Sequence, residues 1–571
     1  MIIRSLQIAS KSLMAQQQGM DTTSQNIANV NTEGYSRQTA NFVTAESERK
    51  GVLSFGNGVQ LDSITRSMDP LIARAQIINN AQTSYANTLQ DGLSSIEAAF
   101  GNLGAPGLSS TLDDFFNAQQ QLANSPDDLI VRTGMVAIAN DVTNLISSMQ
   151  QQLVAKQQSA DLQVGALMTE VNMVLDNIVD LNKQIAKNES GGAIGSQAND
   201  LRDRRDAEVL KLAKLIPVRQ IPTKDNGLML QTPGGDLLIQ DDYVRHLTVG
   251  SVAGSNVVQF SDNGQTASGI ESGGKVGGLL TLRDTQLTDY ISTLDSLAKN
   301  LIFSVNQLHS GGTGTTAVSS YTSGMTPTDP AALVNADPDI PFAANIVDGA
   351  FTIHVLDGDP PTNPGGTAVT ITAAASTLNQ IAIDISAIAG VTASVNADGA
   401  LVIDGGANRV VFSDDSSNFL AAYEINTFFH GGGAADISVD AAIASDSGRI
   451  ASATADAATS AVAINDNSIA MAILVLRDLA LNVDGGTAVS LTARAANLAG
   501  GFGMDIAAVT RDSLFRESEA SSLSIQRDSI SGVNLDEELI NMMTFQRSYE
   551  AAAKIIQTAN QMLTTLMGLI R

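Results

Sequence analysis

The two ends of the chain carry the same hydrophobic pattern. Near the N-terminus Ile2, Leu6, Ala9, Leu13, Gln16, Met20, Thr23, Ile27 and Val30 recur in alternating steps of four and three. Near the C-terminus Leu535, Leu539, Met542, Gln546, Tyr549, Ala553, Ile556, Asn560, Leu563, Met567 and Ile570 do the same. Seven of the nine and nine of the eleven positions are apolar, which predicts a helix at each end with the heptad seam of a coiled coil. Asn534 is placed to cap the second helix, and Asp536, Glu537 and Glu538 suit the positive end of its dipole. The outer faces are unusual, because residues 1–31 hold only three charges, Arg4, Lys11 and Asp21. A polar, uncharged face tolerates copies of itself as neighbours. An ordinary two-helix bundle is the plainer reading of the same pattern.

A long proline-free helical stretch is predicted from Ser125 to Gly191-Gly192. Ser125 is the expected cap, Pro126 takes the first turn, and Asp127 and Asp128 follow. Val164, Leu167, Val171, Val174, Ile178, Leu181 and Ile185 form its seam, while Gly134 and Gly165 are candidate kinks. Helical pattern resumes at 197–216 and at about 279–308. The middle differs: Val369–Thr372, Ala400–Ile403 and Arg409–Phe412 are short β-branched runs, with turns at Asp398-Gly399 and Asp404-Gly405-Gly406. A smaller β patch is expected within 217–275. Seven of the 13 prolines fall between Pro327 and Pro364, marking a loop-rich stretch. The expected fold is mostly α, with long helices, coiled-coil-like termini and inserted β-rich parts, a multidomain α+β chain. Its expected domains are 1–45 with 530–571, 46–310 with 431–529, and a β-rich insertion at 311–430.

Length and charge sharpen this picture. At 571 residues the chain is too long for one ordinary domain. Its net charge of −27 argues against binding nucleic acid or an anionic membrane surface. Between Gly311 and Asp466 there are two basic and seventeen acidic residues, an acidic face expected to meet solvent. With no cysteine, thiol catalysis and disulfides are excluded. No run reaches ~18 apolar residues, so no membrane span is expected. Gln7 and the serines interrupt the N-terminal apolar positions, so a Sec-type leader is not expected.

Candidate chemistry is sparse. His246, His309, His354 and His430 are scattered outside zinc spacings and read as surface or turn residues. Asp337 with Asp339, and Asp357 with Asp359, lack the remainder of a calcium loop. Gly56-Asn57-Gly58 reads as a hairpin turn, since a phosphate cradle would need further glycines and an opening helix. No catalytic, metal or cofactor residue is assigned, and no enzyme is expected.

The most specific string is Ser24-Gln25-Asn26-Ile27-Ala28-Asn29-Val30-Asn31-Thr32-Glu33-Gly34-Tyr35-Ser36-Arg37-Gln38. It resembles the signature shared by bacterial flagellar rod, hook and hook-associated proteins. Gly56–Val59 leading to Ile64-Thr65-Arg66 and Asp69, Ala198–Asp206, Gly277–Leu280 with Arg283-Asp284, Ile425–Phe429, Ser531–Glu538 and Phe545–Tyr549 are similar to segments of the hook-associated protein 1 family. Met68 and Pro70 depart from that family's usual residues around Asp69. About 311–420 is unmatched.

The resemblance implies an axial component of the bacterial flagellum, a structural ring between hook and filament that acts as mechanical adaptor and assembly platform. It implies export by the flagellar type III route without a cleaved signal, hence an extracellular location, and no cofactor. Implied partners are further copies of the chain, the hook protein, the next junction protein and an export chaperone. Assembly is expected through Leu6, Leu13, Met20, Ile27, Val30, Leu535, Leu539, Met542, Tyr549, Ile556, Leu563 and Met567. Asn26, Asn29, Asn31, Thr32, Gly34 and Tyr35 carry the family motif, and Leu539, Met542, Ile556 and Leu563 are the expected chaperone grip. Hook protein or the second junction protein is the nearer alternative, and a secreted adhesin or hydrolase with a site in the β insertion the more distant one.

Overall fold

The computed structural model describes residues 2–569 apart from 51–52, 102–106, 190–197, 223–226, 253–254, 359–360, 362, 457–461 and 464. The expected stop at Gly191-Gly192, the last seam position Ile570 and Asp359 lie outside the described residues. In chain order the helices are α1 (Ile2–Ala28), α2 (Pro70–Gly101), α3 (Leu108–Asn124), α4 (Leu129–Glu189), α5 (Asn199–Leu215), α6 (Gly274–Thr281) and α7 (Leu287–His309). They continue as α8 (Leu378–Ser386), α9 (Phe419–Ala422), α10 (Ala441–Ser445), α11 (Ser468–Val475), α12 (Leu491–Ser531) and α13 (Leu535–Leu569). The fold is mostly α with several small sheets. It divides into two compact units, one of Met1–Leu93, Ser159–Arg283 and Ala507–Arg571, the other of Ser94–Gln158 and Asp284–Ile506.

The long helix is α4, with 61 residues, on the order of 90 Å at ~1.5 Å per residue. It runs unbroken through Gly134 and Gly165. Its start differs from the expectation. Ser125 is the C-cap of α3, and Asp128 takes the capping role, its Oδ1 accepting the Ile130 N–H at 2.7 Å. The buried Arg132 holds the intervening turn, donating from Nε to the Pro126 carbonyl at 2.7 Å. By composition alone one 18-residue window of α4 could cross a membrane. Further along the same helix, Val164, Met168, Val171, Val174, Leu175 and Ile178 are buried in a protein core.

That core belongs to the first unit. The seam of α4 meets Val209 and Leu212 of α5, Leu228, Leu230, Leu238 and Ile239 of the small β patch, and Phe260. The patch is a four-stranded antiparallel meander, β5 (Arg219–Pro222), β6 (Leu228–Gln231), β7 (Leu237–Gln240) and β8 (Tyr243–Val244), followed by the β9 (Leu247–Val252) and β10 (Ser255–Phe260) hairpin. Earlier in the chain, β1 (Gln38–Thr44) pairs antiparallel with β4 (Val59–Arg66), and β2 (Glu48–Lys50) with β3 (Leu53–Phe55). Gly56-Asn57-Gly58 therefore does not close a hairpin as expected. It passes the chain from one strand pair to another, and Arg4 Nη2 donates to the Gly56 carbonyl at 3.0 Å.

The second unit holds the β-branched runs. They form two three-stranded antiparallel sheets from β11 (Ser320–Thr322), β12 (Gly349–Leu356), β13 (Thr367–Ile371), β14 (Thr392–Val395), β15 (Leu401–Asp404) and β16 (Arg409–Ser413). Their orders are β11-β15-β14 and β13-β12-β16, so the turn at Gly405-Gly406 joins strands of different sheets. Phe115 and Phe116 of α3 pack edge-on with Phe428 and Phe429 nearby. This unit corrects the histidine reading, because His309 and His354 are fully buried. His309 Nδ1 lies 2.8 Å from the Asn426 carbonyl and Nε2 accepts the Ala451 N–H at 2.8 Å. Burial pushes its pKa down to about 4. A neutral imidazole with both nitrogens satisfied is a core residue.

Candidate assembly site at the paired chain ends

α1 and α13 pack antiparallel along their length. Asn26 Nδ2 donates to Glu538 Oε2 at 3.1 Å, Gly19 lies under the Phe545 ring, and Ile2 lines a shallow pocket with Met562. The face α1 turns inward is built from small or polar groups: Ala9, Ala15, Gly19, Thr22, Thr23 and Asn26 are buried. On α13 the matching row is Glu538, Ala552 and Ala559, which are buried, with the half-buried Phe545 at the same seven-residue spacing. Gly19 is required sterically, since a Cβ there would sit 2.9 Å from the Phe545 ring. That ring in turn meets Phe42 of β1 edge-on at 6.0 Å.

Asn26 is the hub of the site and is 1% exposed. Its Nδ2 also donates to the Gln38 carbonyl at 2.8 Å, and its Oδ1 accepts the Tyr35 O–H at 2.8 Å and the Gln38 N–H at 2.9 Å. All of its side-chain hydrogen-bonding capacity is used, which is what allows a buried amide to be stable. Glu538 is equally buried, and Arg37 Nε lies 3.0 Å from its Oε1. Burial, with the carboxylates of Asp203 and Glu538 near it, pushes the Tyr35 hydroxyl up to about 12, so it remains a donor.

The turn between α1 and β1 is held from three further sides. Thr32 to Tyr35 closes a turn through Tyr35 N–H to the Thr32 carbonyl at 3.2 Å, and Gly34 takes φ +83°, a conformation glycine adopts without strain. The Asn29 and Thr32 side chains bond each other at 3.2 Å, while Asn31 is exposed. The Arg37 N–H donates to the Ser531 carbonyl at 2.9 Å, and Arg527 Nη2 to the Tyr35 carbonyl at 3.2 Å. Ser36 N–H donates to Asp203 Oδ2 at 3.2 Å. Arg66 Nη1 bridges Asp203 Oδ1 at 2.7 Å and Asp206 Oδ2 at 2.9 Å, and Asn199 Nδ2 reaches the Ile64 carbonyl at 2.9 Å. Burial raises the Asp203 pKa despite the Arg66 bonds. Burial works against the Arg66 charge too, but the two aspartates more than offset it and its pKa is raised. A groove of about 1260 Å³ runs beside this knot, lined by Asn29–Arg37, Arg66, Asp203 and Ser531–Asn534.

Four strings that look unrelated in the sequence, 24–38, 64–69, 198–206 and 531–538, thus meet in one polar knot. Asn26 and Tyr35 are central to it; Asn29, Thr32 and Gly34 shape its turn. Of the seam residues, Leu6, Leu13, Met20, Ile27, Val30, Met542, Ile556 and Leu563 are half-buried, and Leu535, Leu539, Tyr549 and Met567 are exposed, Met567 at 67%. The inner row of α13 is rotated by one position from the heptad reading at 539, 546, 553 and 560. Arg66, Asp203 and Phe545 stand in the sequence only as members of family-like segments and Glu538 only as a dipole-friendly carboxylate, while Gly19 carries just the signal of a lone glycine inside an otherwise regular helix. Among the described residues no group of three or more acidic or histidine side chains is placed to hold a metal ion.

Comparison with known proteins bears on the same segments. Residues 6–35 match the flagella basal body rod protein family and 526–569 the flagellar basal body rod FlgEFG protein C-terminal family. A chain whose two ends carry rod-type segments and pair with each other is of the axial flagellar class. Residues 93–319 match the flagellar hook-associated protein FlgK helical domain. Flagellar hook-associated protein 1 of Salmonella typhimurium is 28% identical, covering 98% of this chain and 99% of its own length. The Escherichia coli K12 protein of that name is 27% identical, covering 98% of both chains, and the Bacillus subtilis one 25% identical over 54% of this chain and 67% of its own. Among solved structures, the flagellar hook junction protein FlgK of Burkholderia pseudomallei is 15% identical with a TM-score of 0.48, covering 80% of this chain and 100% of that one. Over nearly its whole length the chain is thus similar to flagellar hook-associated protein 1 of these enterobacteria.

Proposed function

We propose that this chain is a structural, non-catalytic component of the flagellum at the hook–filament junction. Copies form a ring that adapts the bendable hook to the stiff filament and serves as platform for the next stage of assembly. The observation that carries the reading is the knot around Asn26 and Glu538, which joins the family segments of both chain ends and orients the two terminal helices as one element. The exposed apolar side chains of that element, including Ile3, Met14, Leu535, Leu539, Ile540, Met543 and Met567, then have their neighbours in other copies, the hook protein and the next junction protein. Burying each is worth roughly 1.5–3 kcal/mol, so a ring gains what the single chain leaves unspent. Before assembly the α13 residues Leu539, Met542, Ile556 and Leu563 offer a grip for an export chaperone, and the chain leaves by the flagellar export route to the cell exterior.

Deletion of the gene tests the reading. Intact hooks without filaments, with flagellin shed into the medium and filaments restored by the full chain, are the expected result. Absence of hooks, or normal filaments, would overturn it.

A further inference from the structure

The pairing of α1 with α13 keeps one register: the seven-residue step from Gly19 to Asn26 is matched by seven from Phe545 back to Glu538, and Ile2 falls opposite Met562. Most of this interface does not select that register. The inner row of α13 repeats every seven residues and ends in Ala552 and Ala559, and the buried positions of α1 ahead of Gly19 are Ala9 and Ala15. Small side chains at heptad spacing accept a one-heptad slip with little change in packing. Two positions object. A slip in one direction sets Glu538 against Gly19 and Phe545 against Ser12, and leaves Asn26 facing the end of the helix. A slip in the other sets the Phe545 ring against Asn26. Either strands a buried amide or a buried carboxylate without its partner, the kind of polar penalty that specifies register in coiled coils.

We propose that Asn26 and Glu538 are positioning residues that select the heptad register of the terminal helix pair, with Phe545 over Gly19 as the steric check. Each acts through the other and neither has to touch another copy. The proposal deepens the assembly reading, because register decides which α13 side chains stand at each level of the exposed face.

The chain has no cysteine, so disulfide cross-linking of the isolated full-length protein reads register directly. Ile2→Cys with Met562→Cys reports the native register; Ile2→Cys with Ile555→Cys, and Ala9→Cys with Met562→Cys, report the two slips. In the otherwise native chain the first pair alone should cross-link efficiently, with each slipped pair at least tenfold lower. Asn26→Leu with Glu538→Leu, which keeps the helices paired by apolar contact, should bring at least one slipped pair to within about threefold of the native one. Glu538→Gln, which retains an acceptor for Asn26, should keep the single native product. A double variant that still gives only the native product, or that loses all three products together, would overturn the proposal: the first would assign register to the α12–α13 connection, the second would make the pair a simple clamp. No flagellum is needed for this readout, so a chain with the expected cross-links that fails to restore filaments would fault the assembly reading alone.

Discussion

Replacing Arg66 with alanine tests the knot where it is most exposed to electrostatics. Arg66 Nη1 holds Asp203 at 2.7 Å and Asp206 at 2.9 Å, and the side chains of Arg66, Asp203 and Asp206 are 8%, 9% and 34% exposed. Once the guanidinium is gone, Asp206 rehydrates at modest cost. Asp203 does not, and keeps only its bonds to Ser36, from the N–H at 3.2 Å and from the side chain. Removing one partner of a buried pair costs about 3–5 kcal/mol; the exposed Asp206 places Arg66→Ala toward ~3 kcal/mol at pH 7. The penalty has an escape, since a carboxyl can take up a proton. Burial already raises the Asp203 pKa in the intact site, and the variant raises it further. An acid whose pKa is higher in the folded chain favours folding at low pH and loses that support as pH rises through the folded value. The defect is therefore small near pH 4, grows through the window above it and is full near neutrality. Hydrogen exchange of amides 34–38 and 199–210 is the assay, because a chain of two units does not unfold in one step. Protection should fall on the order of 100-fold at pH 7, at 1.36 kcal/mol per tenfold, and clearly less at pH 5. Arg66→Ala with Asp203→Asn should recover much of it. An equal loss at both pH values, or no rescue, would refute the reasoning.

Three further outcomes are expected. Gly19→Val drives a side chain into the Phe545 ring and should destabilise the helix pair by about 1–3 kcal/mol, read as faster exchange in α1 and α13 and eased by Phe545→Leu; unchanged exchange would contradict the packing. His309 is neutral in the folded chain with a pKa near 4, so its contribution is present above pH 6.5 and lost as pH falls toward 4, roughly 3 kcal/mol over that span; an imidazole NMR signal titrating near 6.5 would dispose of this. Asn306 is buried and bonds the Phe429 carbonyl at 2.8 Å and the N–H groups of Phe428 and Phe429 at 3.0 and 2.9 Å. Asn306→Ala should thus cost about 2–3 kcal/mol, from leaving buried backbone groups unmatched, measured as lost protection at 426–430.

The helical period at both ends, the seam of α4 and the β-branched runs of the middle were legible because each reports a local periodicity; burial follows the predicted seam in α4, whereas on α13 it falls on the row of Glu538, Ala552 and Ala559, one position away. The α4 cap was misplaced by three residues because Ser125 and Asp128 are both good capping residues, and the choice depends on where α3 stops. The histidines were misjudged for a different reason: an isolated His carries no periodic signal, and whether a core supplies both nitrogens with partners is set by residues more than a hundred positions away. The acidic run 311–466 read as a solvated face, yet some of its carboxylates serve the fold itself. Asp440 caps α10 through the Ala442 N–H at 2.9 Å, and the half-buried Asp415 accepts the Leu420 N–H at 2.9 Å.

From its amino-acid order alone this protein is a mostly helical, cysteine-free chain with matched amphipathic ends, long inner helices and a β-rich insertion, because helix and strand periods are written residue by residue. Tertiary structure decided which row of α13 faces α1, and that Glu538, to all local appearance a dipole-friendly carboxylate, is buried on Asn26. It also drew segments near residues 30, 66, 203 and 535 into one knot. The physical reason is range: periodicity acts over a few residues, whereas a buried charge is tolerable only when partners hundreds of positions away arrive at bonding distance.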